Sequence, residues 1–284
     1  MQYPTILVHL DRTERTPRCS ALAIGWARAY GAHLIGLVPT GFQGSTPSAG
    51  LVPGAMARPV SDSQDCLRGR AEAISSEFRA AIAVGGPLSC EVRLVDGDTG
   101  DAVVRHGRAS DLIVLGQSDR PSASDASVRA LPAHVLMEVG RPVLLVPSDG
   151  RFEGPPRRIL VGWDGSREAA VALHAALPAL RCALRVTLAS YRYSDAPRHV
   201  EAQAWRLALA DTLQFLQRHG IRARAEREIT ALDIGEALLS RAVDLDADLL
   251  VMGAYGHSRL RERFLGGVTQ QVFAQMTMPV LVAH

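Results

Sequence analysis

The residues best suited to chemistry lie in one stretch: Gly253-Ala254-Tyr255-Gly256, nine further residues, then Gly266-Gly267. Gly253 closes an apolar run, and without a Cβ the backbone there and at Gly256 can turn sharply and approach a ligand. Gly266-Gly267 open a helical pattern whose first N–H groups lack partners and whose dipole presents its positive end, which suits a phosphate. Such a cradle needs no side-chain charge. The same glycines would also serve tight turns and close helix–sheet packing, and the spacing leaves both readings standing. Within the insert, Arg259, Arg261 and Arg263 could reach a polyphosphate, although their alternation with Leu260 and Glu262 equally describes a solvated turn. His257 could touch a phosphate or its metal, or simply be an exposed loop histidine. A second position is Asp164, which follows Ile159-Leu160-Val161-Gly162-Trp163 and precedes Gly165-Ser166. It reads either as a cap on the next helix or as a ligand contact.

Other chemistries lack their residues. The chain has no lysine, which removes a P-loop lysine, a Schiff-base lysine and a lysine general base. No GxSxG elbow, HExxH or Walker A pattern is present, so binding outranks turnover, with slow hydrolysis of the bound ligand the most that is expected. His9, His33 and His106 are scattered and form no metal-ligand spacing. Any Mg²⁺ is expected to be held through phosphate oxygens and water. With 31 basic against 29 acidic residues and a net charge of +2 in 284 residues, no strong field favours nucleic acid or an anionic membrane. The four cysteines lack a CxxC spacing and read as free buried thiols. No apolar run approaches the roughly 20 residues of a membrane span, and the cytoplasm is the expected location.

The elements that must position these residues repeat. Ile6-Leu7-Val8-His9-Leu10-Asp11 is echoed 153 residues later by Ile159 to Asp164, Asp111 to Gly116 is echoed 137 residues later by Asp248 to Gly253, and Arg141 to Val146 likewise by Met278 to Ala283. The first half therefore carries 16 extra residues, expected as a long surface loop in the Gly-, Pro- and Ser-rich stretch 39–65. Punctuation by Pro and Gly in 147–156 divides the chain into domains 1–149 and 155–284. Continuously apolar strands alternate with helical patterns. In the second half the strands fall at 159–163, 184–190, 222–229, 248–253 and 279–283, with helices at about 166–178, 198–219, 233–244 and 267–276. The fold class is α/β: two doubly wound, five-stranded parallel-sheet domains in tandem, Rossmann-like, with ligands expected beyond the carboxyl ends of the strands.

Taken together, Ile159 to Ser166, the later Gly253-x2-Gly256-x9-Gly266 and the closing Pro279-Val280-Leu281-Val282 resemble the universal stress protein family. The resemblance spans the second half, and the first half is similar in its strands and in Pro142 to Pro147, implying a tandem form. It implies a stress-response regulator binding an adenine nucleotide, ATP or else ADP or AMP, with Mg²⁺ carried on the phosphates. The contacts implied are Gly162, Asp164, Tyr191, Met252, Gly253, Gly256, Gly266, Gly267 and Val268, with Asp164 near the adenine end, backbone after the second strand at Ser190-Tyr191, and the glycines around the phosphates. The family pattern has Ser or Thr where Gly267 stands, so a hydroxyl contact is missing, and Thr269 points elsewhere. In the first half Asp11 persists, but Asp119 replaces the second glycine and no glycine pair opens the helix near 126–137. That half is expected to be a nucleotide-free copy that supplies an interface. The closing strands are expected to pair the domains within the chain, or copies into a homodimer. The alternative from another class is a nucleotide-free interaction protein acting through its paired domains.

Overall fold

The computed structural model describes residues 2–11, 13–40, 58–117, 126–193, 200–256 and 267–284. Strands and helices alternate throughout. The first half runs β1 (Thr5–His9), α1 (Thr16–Tyr30), β2 (His33–Pro39), α2 (Arg58–Ala83), β3 (Cys90–Val95), α3 (Thr99–Gly107), β4 (Leu112–Gly116), α4 (Ala126–Val139) and β5 (Val143–Val146). The second runs β6 (Arg158–Gly162), α5 (Arg167–Cys182), β7 (Arg185–Tyr193), α6 (Val200–Arg218), β8 (Ala223–Thr230), α7 (Ile234–Asp244), β9 (Leu249–Gly253), α8 (Gly267–Gln275) and β10 (Val280–Ala283).

The strand order is β3-β2-β1-β4-β5-β10-β9-β6-β7-β8, one ten-stranded sheet. Each half is a parallel five-stranded block with the same internal order. The blocks join where β5 and β10 pair antiparallel, Leu281 opposite Leu144. Strands β1, β4, β5, β9 and β10 are buried on both faces, which accounts for runs of Val, Leu and Ile with no polar alternation. One hydrophobic cluster lies on the α1, α2, α5, α6 face and another on the α3, α4, α7, α8 face; both contain residues of the two halves.

The duplicated acids ahead of β4 and β9 have a structural task. Asp111 accepts from the N–H of Thr5 at 2.8 Å, and Asp248 accepts from the N–H groups of Arg157 and Arg158 at 2.8–3.0 Å. Each clamps the start of the neighbouring strand. Three expectations change. Residues 58–65, expected in the surface loop, form the opening of α2; Pro59 in a first helical turn loses no hydrogen bond. The second strand of the C-terminal half runs to Tyr193, so Ser190 and Tyr191 lie inside it, in register with Arg227 and Glu228 of β8. Of the four free cysteines only Cys19 is buried; Cys66 and Cys182 are exposed and Cys90 is between, because a helix surrounds only one of its sides with core. The stretch 41–57 of the expected loop lies outside the described residues.

Candidate functional site

Strands β9, β6 and β7 are neighbours in the sheet, with Leu160 opposite Leu250 and Gly162 opposite Ala189. Gly162, Asp164, Tyr191, Met252, Gly253 and Gly256 therefore come out at one edge, at the carboxyl ends of three adjacent strands. Gly267 begins α8 and is exposed, with open space where a Cβ would stand. Gly266, His257, Arg259, Arg261 and Arg263, and in the first half Asp119, lie outside the described residues.

The individual roles differ in part from expectation. Asp164 is exposed and does not cap α5. Its Oδ1 accepts from the N–H of Ser166 at 2.9 Å across a turn made by Gly165 at φ +80°, while Ser166 is the N-cap, accepting from Ala169 N–H at 3.1 Å. The shorter hydroxyl two residues on has the reach to N3, and the Asp164 carboxylate sits in the turn beside the strand ends. Neither Gly253 nor Gly256 adopts positive φ; the left-handed residue of this turn is Tyr255, at φ +65°. Gly253 is needed for another reason, since a Cβ there would stand 2.4 Å from Ala169 N and 2.6 Å from Glu168 C. It lets the start of α5 press against the end of β9. Met252 is buried, and Tyr191, Tyr255 and Val268 pack partly against the cluster on the α7–α8 face, so their side chains shape the floor. Burial raises the Tyr191 and Tyr255 phenols to about 12, so both stay neutral donors. Thr269 is buried and so cannot replace a hydroxyl missing at Gly267.

Sequence reading takes Glu168 as an acid suited to the helix N-terminal dipole and not as a site residue. Its carboxylate lies across the cradle: a Cβ on Gly256 would stand 2.9 Å from Oε2, and the side chain is 13% exposed, 3.7 Å from Arg167. The signal was available in the repeat, because the 153-residue offset that aligns Asp11 with Asp164 also aligns Arg15 with Glu168.

Arg15 fills the matching position in the first half. It is buried, lies 3.3–3.4 Å from where a Cβ of Gly116 would stand, donates from Nε to Thr13 Oγ1 at 3.2 Å, and donates from its guanidinium to Gln117 O. Beside it a cavity of about 30 Å³ is lined by His9, Asp11, Thr16, Cys19 and Gly116, room for a water or two and not for a nucleotide. Burial lowers the pKa of His9, the Asp11 charge opposing and the Arg15 charge adding to the shift. Burial pushes Asp11 up, but hydrogen bonds from Thr13 and Thr16 and the neighbouring His9 bring it below its ordinary value on balance. The Cys19 thiol, pushed up to about 12 by burial and then by the Asp11 charge, is no nucleophile. No group of three or more His, Cys, Asp or Glu that could hold a metal occurs among the described residues.

Residues 156–284 match the model of the universal stress protein family. The C-terminal half is thus similar to the universal stress proteins. Universal stress protein Slr1230 of Synechocystis is 26% identical over 60% of this chain and 57% of its own length, so the match spans less than two thirds of that relative. Universal stress protein Rv2005c of Mycobacterium tuberculosis is 24% identical over 72% of each chain. Among solved structures, a universal stress protein from Archaeoglobus fulgidus shares the fold over 100% of this chain and 99% of its own at TM-score 0.75 and 17% identity. A second, from Pseudomonas aeruginosa, aligns over 99% of this chain and 93% of its own at TM-score 0.61 and 17% identity. The universal stress protein fold thus runs through both halves, and among the described residues no helix is long and apolar enough to cross a membrane.

Proposed function

We propose that the C-terminal half binds an adenine nucleotide, ATP carried with Mg²⁺, as a regulatory ligand of a stress response and not as a substrate turned over rapidly. ADP and AMP fit the same cradle with fewer contacts. The observation that carries the reading is that the β6, β7 and β9 ends and the start of α8 at Gly267 lie on the same edge of the sheet, and the first N–H groups of a helix have no partner within it. Glu168 and Asp164 make that edge unfriendly to a bare triphosphate, and Mg²⁺ held by phosphate oxygens and water would offset the repulsion. The first half is read as a nucleotide-free copy, because Arg15 and a cavity of about 30 Å³ stand where the ligand would lie. A cytoplasmic setting and association of copies into a homodimer belong to the same proposal.

Equilibrium dialysis with labelled ATP and Mg²⁺ on the wild type and on Gly266→Asp tests it. One site per chain is expected, lost in the variant; two equal sites, or none, would contradict the proposal. At a hundredfold excess over Kd the ligand should stabilise the fold by about 2.7 kcal/mol, visible as a raised melting temperature. The rival reading, a nucleotide-free interaction protein, draws on one observation: packing of α5 against β9 explains Gly253 without any ligand. An unmoved melting temperature in millimolar Mg-ATP would favour it.

A further inference from the structure

We infer that Gln117, a residue of the N-terminal half, is a positioning residue for the cradle of the C-terminal half. The inference rests on the nucleotide reading above for its functional consequence, and on geometry alone for its structural one. Gln117 follows β4 and is 7% exposed. Its backbone N–H donates to Val146 O at 2.7 Å, and its side chain crosses to the other half. There Nε2 donates to Phe273 O at 2.7 Å, while Oε1 accepts from the N–H of Ser148 at 2.9 Å. A carbonyl at one end and an N–H at the other permit only one orientation of the amide, so both ends are committed.

Phe273 lies in the last turn of α8, where carbonyls have no N–H partner within the helix. The N-terminal half therefore supplies a C-terminal cap to the helix that opens at Gly267. Nine residues make a rod of about 13 Å, so fixing the last turn fixes the first. The other flank of α8 is held by α7, where a Cβ on Gly235 would stand 3.2 Å from Gln271 Cβ. The contact has no reciprocal, since the repeat places Ala254, with no amide to extend, where Gln117 stands. The carbonyl of Gln117 also accepts from Arg15, whose Nε reaches Thr13, itself bonded to Asp11. Polar contacts thus run unbroken from the filled strand-end pocket of one half to the cradle helix of the other. A half that holds no nucleotide acts through this link on the half that does.

The test uses the full chain with two substitutions. Gln117→Ala removes both contacts; Gln117→Glu keeps an acceptor for Ser148 and turns an oxygen toward Phe273 O. Hydrogen exchange of 267–276 without ligand is expected to quicken in both, and Mg-ATP, measured by calorimetry, is expected to bind about three- to tenfold more weakly. If Gln117→Ala fails to fold, Gln117→Met, of similar volume, takes its place. Unchanged exchange in α8 would overturn the inference, as would unchanged affinity in a variant whose α8 exchanges faster. A wild type that binds no Mg-ATP would sink the nucleotide reading, while the exchange data would still decide whether Gln117 holds the helix.

Discussion

Arg15 and Glu168 occupy one position of the repeat with opposite charge, and each lies against the glycine that ends the fourth strand of its half, Gly116 of β4 and Gly253 of β9. In the first half the cation is buried and hydrogen-bonded to Gln117 O, so that strand end is satisfied internally. In the second half the carboxylate lies 3.7 Å from Arg167 and against Gly256, at the edge where the proposed nucleotide would lie. Two charges a few ångströms apart near a surface interact by a few kcal/mol at most, enough to weaken binding without preventing it. Glu168→Gln is therefore expected to tighten ATP about five- to tenfold, with a larger gain in EDTA than in excess Mg²⁺, because the metal already offsets part of the repulsion. Calorimetric titration under both conditions measures this, and equal affinities for variant and wild type would remove Glu168 from the site. Tyr255, meanwhile, carries the left-handed conformation that sequence reasoning assigns to glycine, at a cost of about 1–2 kcal/mol offset by packing of its ring against the α7–α8 cluster.

At the scale of elements, the cradle glycines separate into two kinds. Gly253 is the contact between β9 and the first turn of α5, and a methyl group there would press on backbone atoms that cannot rotate away. Gly253→Ala is expected to lower the unfolding free energy by about 2–3 kcal/mol. Gly267 opens α8 into free space at ordinary φ, so Gly267→Ser should leave stability within about 0.5 kcal/mol and, by restoring the hydroxyl of the family pattern, tighten nucleotide several-fold, on the order of one hydrogen bond. Denaturant titration of both variants checks the contrast. A Gly253→Ala protein as stable as the wild type would show that β9 and α5 can separate freely.

Across the whole molecule the duplication is covalent in sequence and continuous in packing. Beyond the β5–β10 junction, Tyr3 Oη donates to Ala175 O at 2.8 Å, Gly25 leaves room for the linker backbone at Gly154, where a Cβ would stand 2.6 Å from N, and both hydrophobic clusters run through the two halves. Neither half can lose its core without exposing that of the other, so thermal unfolding is expected as a single transition in which calorimetric and van't Hoff enthalpies agree. Two resolved transitions would mean that the halves melt as separate domains.

Strand and helix alternation, the repeat and the gathering of the candidate residues at one edge of the sheet could all be read from residue order, because apolar period and strand-end glycines are local properties of the chain. The junction of two parallel blocks into one sheet, the burial of Arg15, the placement of Glu168 against Gly256 and the reach of Gln117 to Phe273 depend on residues more than 80 apart meeting in space, or on which neighbour fills a volume. Local pattern carries no record of that. A glycine reads the same whether a ligand or its own helix presses against it, and here the fold set the start of α5 against Gly253.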